Sequence, residues 1–337
     1  MKKTAFKLIA VLMSVICIVT LTACSGSTAK EMKKEATYAQ VIDDMGIFDS
    51  TSDQAMPQTI VHKLITEHFD APLADGKTVK KAIFLGYDGY RADGLENIKD
   101  SDESSVMYIK SLGGLYHTFS GGIAGSSEQA TSTAPSWMAM LTGGWGDYNG
   151  VDDNGQMKKD GAKTFLTKIA EQGHTASFTT SWREHTKLSY RPDILNSIRQ
   201  GLPVEYTHQL DDEATYYQVL KYVSKPEGAK KTAQEDPDAI FFTFEHTDHA
   251  GHGTGFGNQN EEYITACKDA DAWGYDIIKT IEARSTYDTE DWLIIISTDH
   301  GGTKTGHGGQ TPFERMTWLA CNKEIEMSEE NLNFAFK

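Results

Sequence analysis

The chain of 337 residues carries 32 Lys and Arg against 48 Asp and Glu, a net charge of −16, with 39% apolar and 10% aromatic residues. This composition excludes wholesale disorder, a collagen-like rod and a coiled coil, and a chain of this length buries a full core without disulfide staples. So acidic a chain repels nucleic acid in bulk, and an anionic substrate then needs a local positive charge, which a metal site supplies.

The first residues read as an address. Met1-Lys2-Lys3 and Lys7 form a positive start, and an apolar run follows from Leu8 to Leu21. The run is short for a permanent membrane span and ends Leu21-Thr22-Ala23-Cys24, small residues just before a cysteine. This resembles a bacterial lipoprotein signal: residues 1–23 are expected to be removed and Cys24 to be lipidated. The mature chain is then exported and lipid-anchored to the outer face of a bacterial membrane. Residues 24–55 are polar and are expected to form a flexible tether, with the folded domain over 56–337. Cys267 and Cys321 remain in the body, either paired or as two buried thiols.

A helix is expected over Gln58–Phe69, then a βα alternation begins. Strands are predicted at Val79–Tyr87, His174–Thr180, Ala239–Glu245, Trp292–Ser297 and Arg315–Cys321. Helices are predicted at Lys163–Gln172, Glu213–Val223 and Glu261–Arg284, the last from Tyr263, Cys267, Ala270, Ile277 and Ile281 at helical spacing. Nearly all-apolar strands alternating with helices indicate an α/β three-layer sandwich, helices flanking a mostly parallel sheet. Ligands in such sheets sit at the carboxyl ends of strands.

Immediately after three of these strands come Asp88-Gly89-Tyr90-Arg91, Asp248-His249-Ala250-Gly251-His252 and Asp299-His300-Gly301-Gly302, the last continuing to His307-Gly308-Gly309. Carboxylates mixed with imidazoles on Gly-rich backbone suit zinc, with manganese or another divalent ion as the alternative. His246 and His249 are expected to stay outside the ligand set. Between the first two groups, Ser132, Thr133 and Ser136 compete as the hydroxyl at a helix start marked by Pro135, where the dipole favours phosphate and alkoxide alike. No Ser-His-Asp arrangement accompanies them, so activation falls to a metal. Trp145, Tyr148, Trp182, Arg183, Tyr190 and Arg191 lie in expected loops and are read as aromatic packing rather than a base-binding set. The Gly-rich runs at 121–122 and 253–257 read as turns, not a phosphate-binding loop.

Over roughly residues 80–322 this order resembles the alkaline phosphatase superfamily, and within it the type I phosphodiesterase and nucleotide pyrophosphatase group. The resemblance rests on Asp88, Thr133-Ala134-Pro135, Asp248/His252, Asp299-His300-Gly301 and His307-Gly308, with Asn154 following Leu141-Thr142-Gly143. It implies an alkaline phosphatase-like fold and two zinc ions. Asp88, Thr133, Asp299 and His300 would surround one ion; Asp248, His252 and His307 would hold the other. Thr133 would be the nucleophile of a phosphothreonine intermediate, and Asn154 with the backbone N–H after Thr133 would hold a phosphoryl oxygen. The implied activity is hydrolysis of a phosphodiester or pyrophosphate in a small phosphorylated substrate, a nucleotide among the candidates. Three features depart from the pattern. Ser136-Trp137 stands where diesterases of the group often carry Asn, His307 follows His300 by only seven residues, and a closing strand-and-helix segment is expected beyond Phe336-Lys337. The same site could serve a phosphomonoesterase or a phosphonate hydrolase. A surface solute-binding lipoprotein is the non-enzymatic alternative, although it has no reason to carry the full ligand set. No sulfatase-type Cys-x-Pro-x-Arg is present.

Overall fold

The structure, a computed structural model, describes residues 38–155, 162–226 and 228–337. The expected signal segment and Cys24 lie outside the described residues, and none of the described helices is long and apolar enough to cross a membrane. The elements follow in chain order. A helix over 38–44 (α1) leads to Met56–Pro57 (β1), Ile60–Asp70 (α2), Val79–Tyr87 (β2), Ser105–Leu112 (α3) and Gly114–Phe119 (β3). Thr133–Thr142 (α4), Gly146–Asn149 (α5), Phe165–Glu171 (α6), Ala176–Thr180 (β4), Arg191–Gln200 (α7), Val204–His208 (β5) and Asp212–Ser224 (α8) follow. Ala239–Phe244 (β6), His246–Thr254 (α9), Glu261–Glu282 (α10), Glu290–Ser297 (β7), Pro312–Arg315 (α11), Met316–Cys321 (β8) and Glu329–Leu332 (α12) complete the chain.

The eight strands form one sheet in the order β1-β3-β8-β7-β2-β6-β4-β5, in which only β8 runs against the others. The expected sandwich is therefore observed, with a mostly parallel sheet and helices on both faces. The alternation of side chains along β2 explains why its sequence is almost wholly apolar. Ile83, Leu85 and Tyr87 face one core with Ile240, Phe242, Ile294 and Ile296, under α3, α8 and α10. Ala82 and Phe84 face the other with Phe241, Leu293 and Ile295, under α2, α4 and α6. Central β2 pairs in parallel with both β6 and β7, so the carboxyl ends of three adjacent strands open on one place.

The tether expected over 24–55 is corrected within the described residues. Helix α1 packs into the core, with Ile42 fully buried and the Tyr38 hydroxyl hydrogen-bonded to Asp93. Its two apolar anchors sit among charged residues, and so thin a stripe is easily read as linker. Cys267 and Cys321 are free and buried.

At the opposite, amino ends of the strands, buried charges are matched. Arg284 donates to both oxygens of Glu290 at 2.8 and 2.7 Å and to Asp236 at 2.8 Å, and Lys81 donates to Asp236 at 2.7 Å. Against the effect of burial, the Arg284 bonds pull the Glu290 carboxyl down to about 2. Replacing Arg284 with Met would take the bidentate partner from Glu290 and one of the cations from Asp236. The expected loss is about 3–5 kcal/mol of unfolding free energy by urea titration, and an unchanged urea midpoint would contradict it.

Candidate metal and phosphoryl site

Three loops carry the predicted residues to the carboxyl ends of β2, β6 and β7. Asp88 follows β2 directly and is fully buried. Asp299 and His300 follow β7 and are equally buried. Asp248 and His252 sit one turn apart on α9, the helix that leaves β6, so both project from one face. The sequence suggested Gly-rich turn there, and the structure has a helix. His307 arrives on the loop before α11.

Gly89 shows why the backbone at this point is glycine. Its φ is +67°, and a Cβ there would stand 2.9 Å from Asp248 Oδ1. Its N–H donates to Asp299 Oδ1 at 3.0 Å. One residue thus spaces the second carboxylate and orients the third.

The three imidazoles are fixed in the same sense. His300 Nδ1 donates to the Gly301 carbonyl at 2.7 Å, His252 Nδ1 to Thr305 at 2.8 Å, and His307 Nδ1 to Thr131 at 3.0 Å. A carbonyl only accepts, so each ring carries a proton on Nδ1 and turns Nε2 toward the carboxylates; His300 and His307, lowered by burial, leave that atom as an acceptor, as metal-binding histidines do. The three Nε2 atoms converge. His300 Nε2 lies 3.3 Å from Asp299 Oδ2 and 3.5 Å from Asp88 Oδ1, and His252 Nε2 lies 3.3 Å from Asp248 Oδ2. His252 and His307 face each other with Nε2 atoms 3.1 Å apart, close enough to share a proton or to hold a cation between them. Asp248, His252 and His307 each offer a ligand atom within 4.8 Å of the others, and so do Asp88, Asp248 and His300. Asp248 is therefore within reach of both groups, whereas the resemblance implied it for one.

The donor set fits divalent ions by its own chemistry. Asp88 Oδ1, Asp248 Oδ1, Asp299 Oδ2 and His300 Nε2 are buried with no hydrogen-bond partner. Burial, then the neighbouring Asp299, Glu245 and Asp248 charges, push the Asp88 carboxyl well above its usual range. Burial likewise raises Asp299, aided by Asp248 and Glu245. Hydrogen bonding to Asp248 holds His252 up to about 9, while burial drives His300 down to about 3.

Thr133 opens α4 and is almost completely buried. Ser132 occupies the cap position but its side chain makes no cap bond. Asn154 takes that role instead, Oδ1 accepting the Ala134 N–H at 2.9 Å. Pro135 has no N–H to offer and Ser132 does not cap, so in this structure the Ala134 N–H is satisfied by Asn154 itself.

Sequence reasoning missed four residues here. Glu245, at the end of β6, is a fourth buried carboxyl, raised to about 8 by burial and by Asp212 and Asp248. Trp137 Nε1 donates to Asp88 Oδ2 at 2.9 Å. Thr131 bonds the Gly309 carbonyl at 2.7 Å and accepts the Gly308 N–H at 3.1 Å, tying the His307 loop to the segment before Thr133. Tyr190 is packed between Phe178 and His185, as aromatic packing requires, yet its buried hydroxyl lacks a partner and feels the Glu245, Asp299 and Asp88 charges. Only position relative to a strand end could have flagged Glu245; the others become visible in three dimensions alone. His246 is occupied by Asp212 at 2.7 Å and the Ala266 carbonyl at 3.0 Å, and His249 is exposed, so neither joins the ligands.

The pH dependence of the metal-free protein follows. Burial holds His62, His68 and His117 to about 4 and His185 to about 3, so these rings add stability as pH rises to about 6.5 and nothing above it. Asp88, Asp299, Glu245 and His252 are all raised. The folded state keeps protons that the unfolded chain has lost, and stability falls with rising pH up to each folded value. In chelator, the thermal midpoint is expected to drop from pH 6.5 to pH 8, and saturating Zn²⁺ is expected to abolish the drop. A midpoint that rises over this interval in chelator would contradict the assignment.

A family model described as type I phosphodiesterase / nucleotide pyrophosphatase matches residues 82–333. No match was found among curated protein sequences. Among solved structures, murine ectonucleotide pyrophosphatase/phosphodiesterase 5, in an inactive form in complex with AMP, aligns at a TM-score of 0.48 and 16% identity, over 66% of this chain and 57% of that one. Phosphonoacetate hydrolase from Sinorhizobium meliloti aligns at 0.44 and 14%, over 66% and 56%. A protein of Bacteroides thetaiotaomicron assigned as a sulfatase aligns at 0.51 and 12%, over 74% and 66%, a likeness of fold. The chain spans less than two thirds of the length of each of these proteins.

Proposed function

Because the chain belongs to the type I phosphodiesterase / nucleotide pyrophosphatase family, we propose that it is a metal-dependent phosphoesterase that cleaves phosphodiester or pyrophosphate bonds of small phosphorylated substrates, nucleotides among them. The observation that carries this reading is the set of four buried, unpartnered acceptor atoms on Asp88, Asp248, Asp299 and His300 at three adjacent strand ends. Two zinc ions, or manganese in their place, are the proposed occupants. Asp88, Asp299 and His300, with Thr133, would hold one, and Asp248, His252 and His307 the other.

Bound there, a pair of divalent ions supplies charge for both the attacking and the leaving oxygens of an in-line displacement. The rest is the work of the chain. The helix start would lend positive potential to the Thr133 hydroxyl, which would give its proton to solvent and bond to phosphorus as the bond to the leaving oxygen breaks, the leaving oxygen taking a proton from solvent in turn. Water then cleaves the phosphothreonine and restores the hydroxyl. Asn154 has its carbonyl oxygen committed to the Ala134 N–H, so its amide N–H₂ is the group proposed to meet a phosphoryl oxygen. The proposal also places the mature protein outside the cell on a lipid at Cys24, which rests on the sequence of residues 1–24 alone. Cys24→Ser is expected to move the protein from the detergent phase to the aqueous phase on partition, and an unchanged partition would remove the anchor.

Thr133→Ala is the direct test. It is expected to keep its metal content and to lose turnover of bis(p-nitrophenyl) phosphate by about three orders of magnitude or more. Unchanged turnover removes Thr133 from its role. A parent enzyme that strongly prefers p-nitrophenyl phosphate is a monoesterase instead, and metal binding without hydrolysis of either ester favours a solute-binding protein.

A further inference from the structure

Trp137 is the side chain that the nucleophile helix extends to the metal ligands. It lies four residues after Thr133, so the two share a face of α4. Its ring is fully buried, with Phe84 and Phe241 centroids at 5.8 and 5.6 Å. Space for it is built into the central strand. A Cβ on Gly86 would stand 2.6 Å from Trp137 Cη2, which accounts for a glycine inside β2, where it otherwise weakens the strand. The indole has one polar atom, a donor, and that donor meets Asp88 Oδ2 at 2.9 Å. The other oxygen, Oδ1, has no protein partner and points toward His300 Nε2 at 3.5 Å.

We propose that Trp137 is a positioning residue for the ion held by Asp88: its N–H occupies one carboxylate oxygen, presents the other to the ion, and fixes the start of α4, with Thr133, at a set distance from that ion. The inference rests on the reading of this site as a metal centre. A rigid indole suits the task because a single donor cannot compete for both oxygens, and an aromatic wall cannot swing away. A residue acting only as core filler would do none of this.

The test is Co²⁺ and Zn²⁺ titration by chelator competition on the parent and on Trp137→Phe, which keeps the aromatic bulk and deletes the donor. One ion is expected to bind the variant about 10–100-fold more weakly, with an altered visible spectrum for Co²⁺ at that site, while the other binds as in the parent. Equal binding of both ions by the two proteins overturns the proposal. The unmodified protein gives a second readout that does not depend on the variant folding. Among its six tryptophans, labelled with ¹⁵N, one indole N–H signal is expected to shift when ions are added. No shift in any of them also overturns it. Hydrolysis enters neither readout, so an inactive parent that binds both ions counts against the proposed function alone.

Discussion

Mutual repulsion among Asp88, Asp248, Asp299 and Glu245 governs this end of the molecule. Each is almost wholly removed from water, and each carboxylate left uncompensated in such surroundings costs several kcal/mol. No Lys or Arg side chain is among the described hydrogen-bond or ion-pair partners of these four groups; their partners are backbone N–H groups, hydroxyls, an indole and three imidazoles. Protons relieve the repulsion in part, which is why Asp88, Asp299 and Glu245 are raised. Divalent ions bound there would relieve it more completely, and metal binding would then be linked to folding stability.

What keeps the carboxylates together against that repulsion is the sheet. Adjacent parallel strands in the order β7-β2-β6 end in register, with Gly86 opposite both Thr243 and Ser297. Two further ties bring in the hydroxyl. Thr131 joins the segment before Thr133 to the His307 loop, and Trp137, one turn past Thr133, joins the helix to Asp88. Thr133 thus lies in the chain between two ties, one to each candidate ligand group, neither of which involves the threonine itself.

The strands of the central sheet were legible because burial on both faces leaves an uninterrupted apolar run: Val79–Tyr87 was read to the residue. The edges were not. β3 and β5 mix polar and apolar positions, and β5 is only half buried, so Gly114–Phe119 and Val204–His208 carry no pattern that separates them from loop. Helix α9 was hidden by Gly251 and Gly253, although Asp248 and His252 at i and i+4 were themselves a helical spacing. The ligand residues were legible because aspartate and histidine at strand ends are chemically conspicuous. Trp137, Thr131 and Gly86 were not, because an indole, a hydroxyl and a missing Cβ are ordinary in a core. Their meaning lies in contacts between positions far apart in the chain.

The two ends of the same strands make the strongest comparison. At the amino ends, Lys81 meets Asp236, Lys80 meets Asp291 at 2.6 Å, and Arg284 meets Glu290. Buried carboxylates there are matched by cations from the chain and drop below their usual range, as Glu290 and Asp291 do. At the carboxyl ends the same low-dielectric surroundings hold carboxylates with no such match. A chain that pairs its buried charges at one end has the means to do so at the other. Local departures from the rules of stable packing concentrate where function is placed. The unmatched carboxylates at the carboxyl end thus mark the place where a cation would be accommodated, and in a molecule of net charge −16 a local cation would also be what lets an anionic substrate approach.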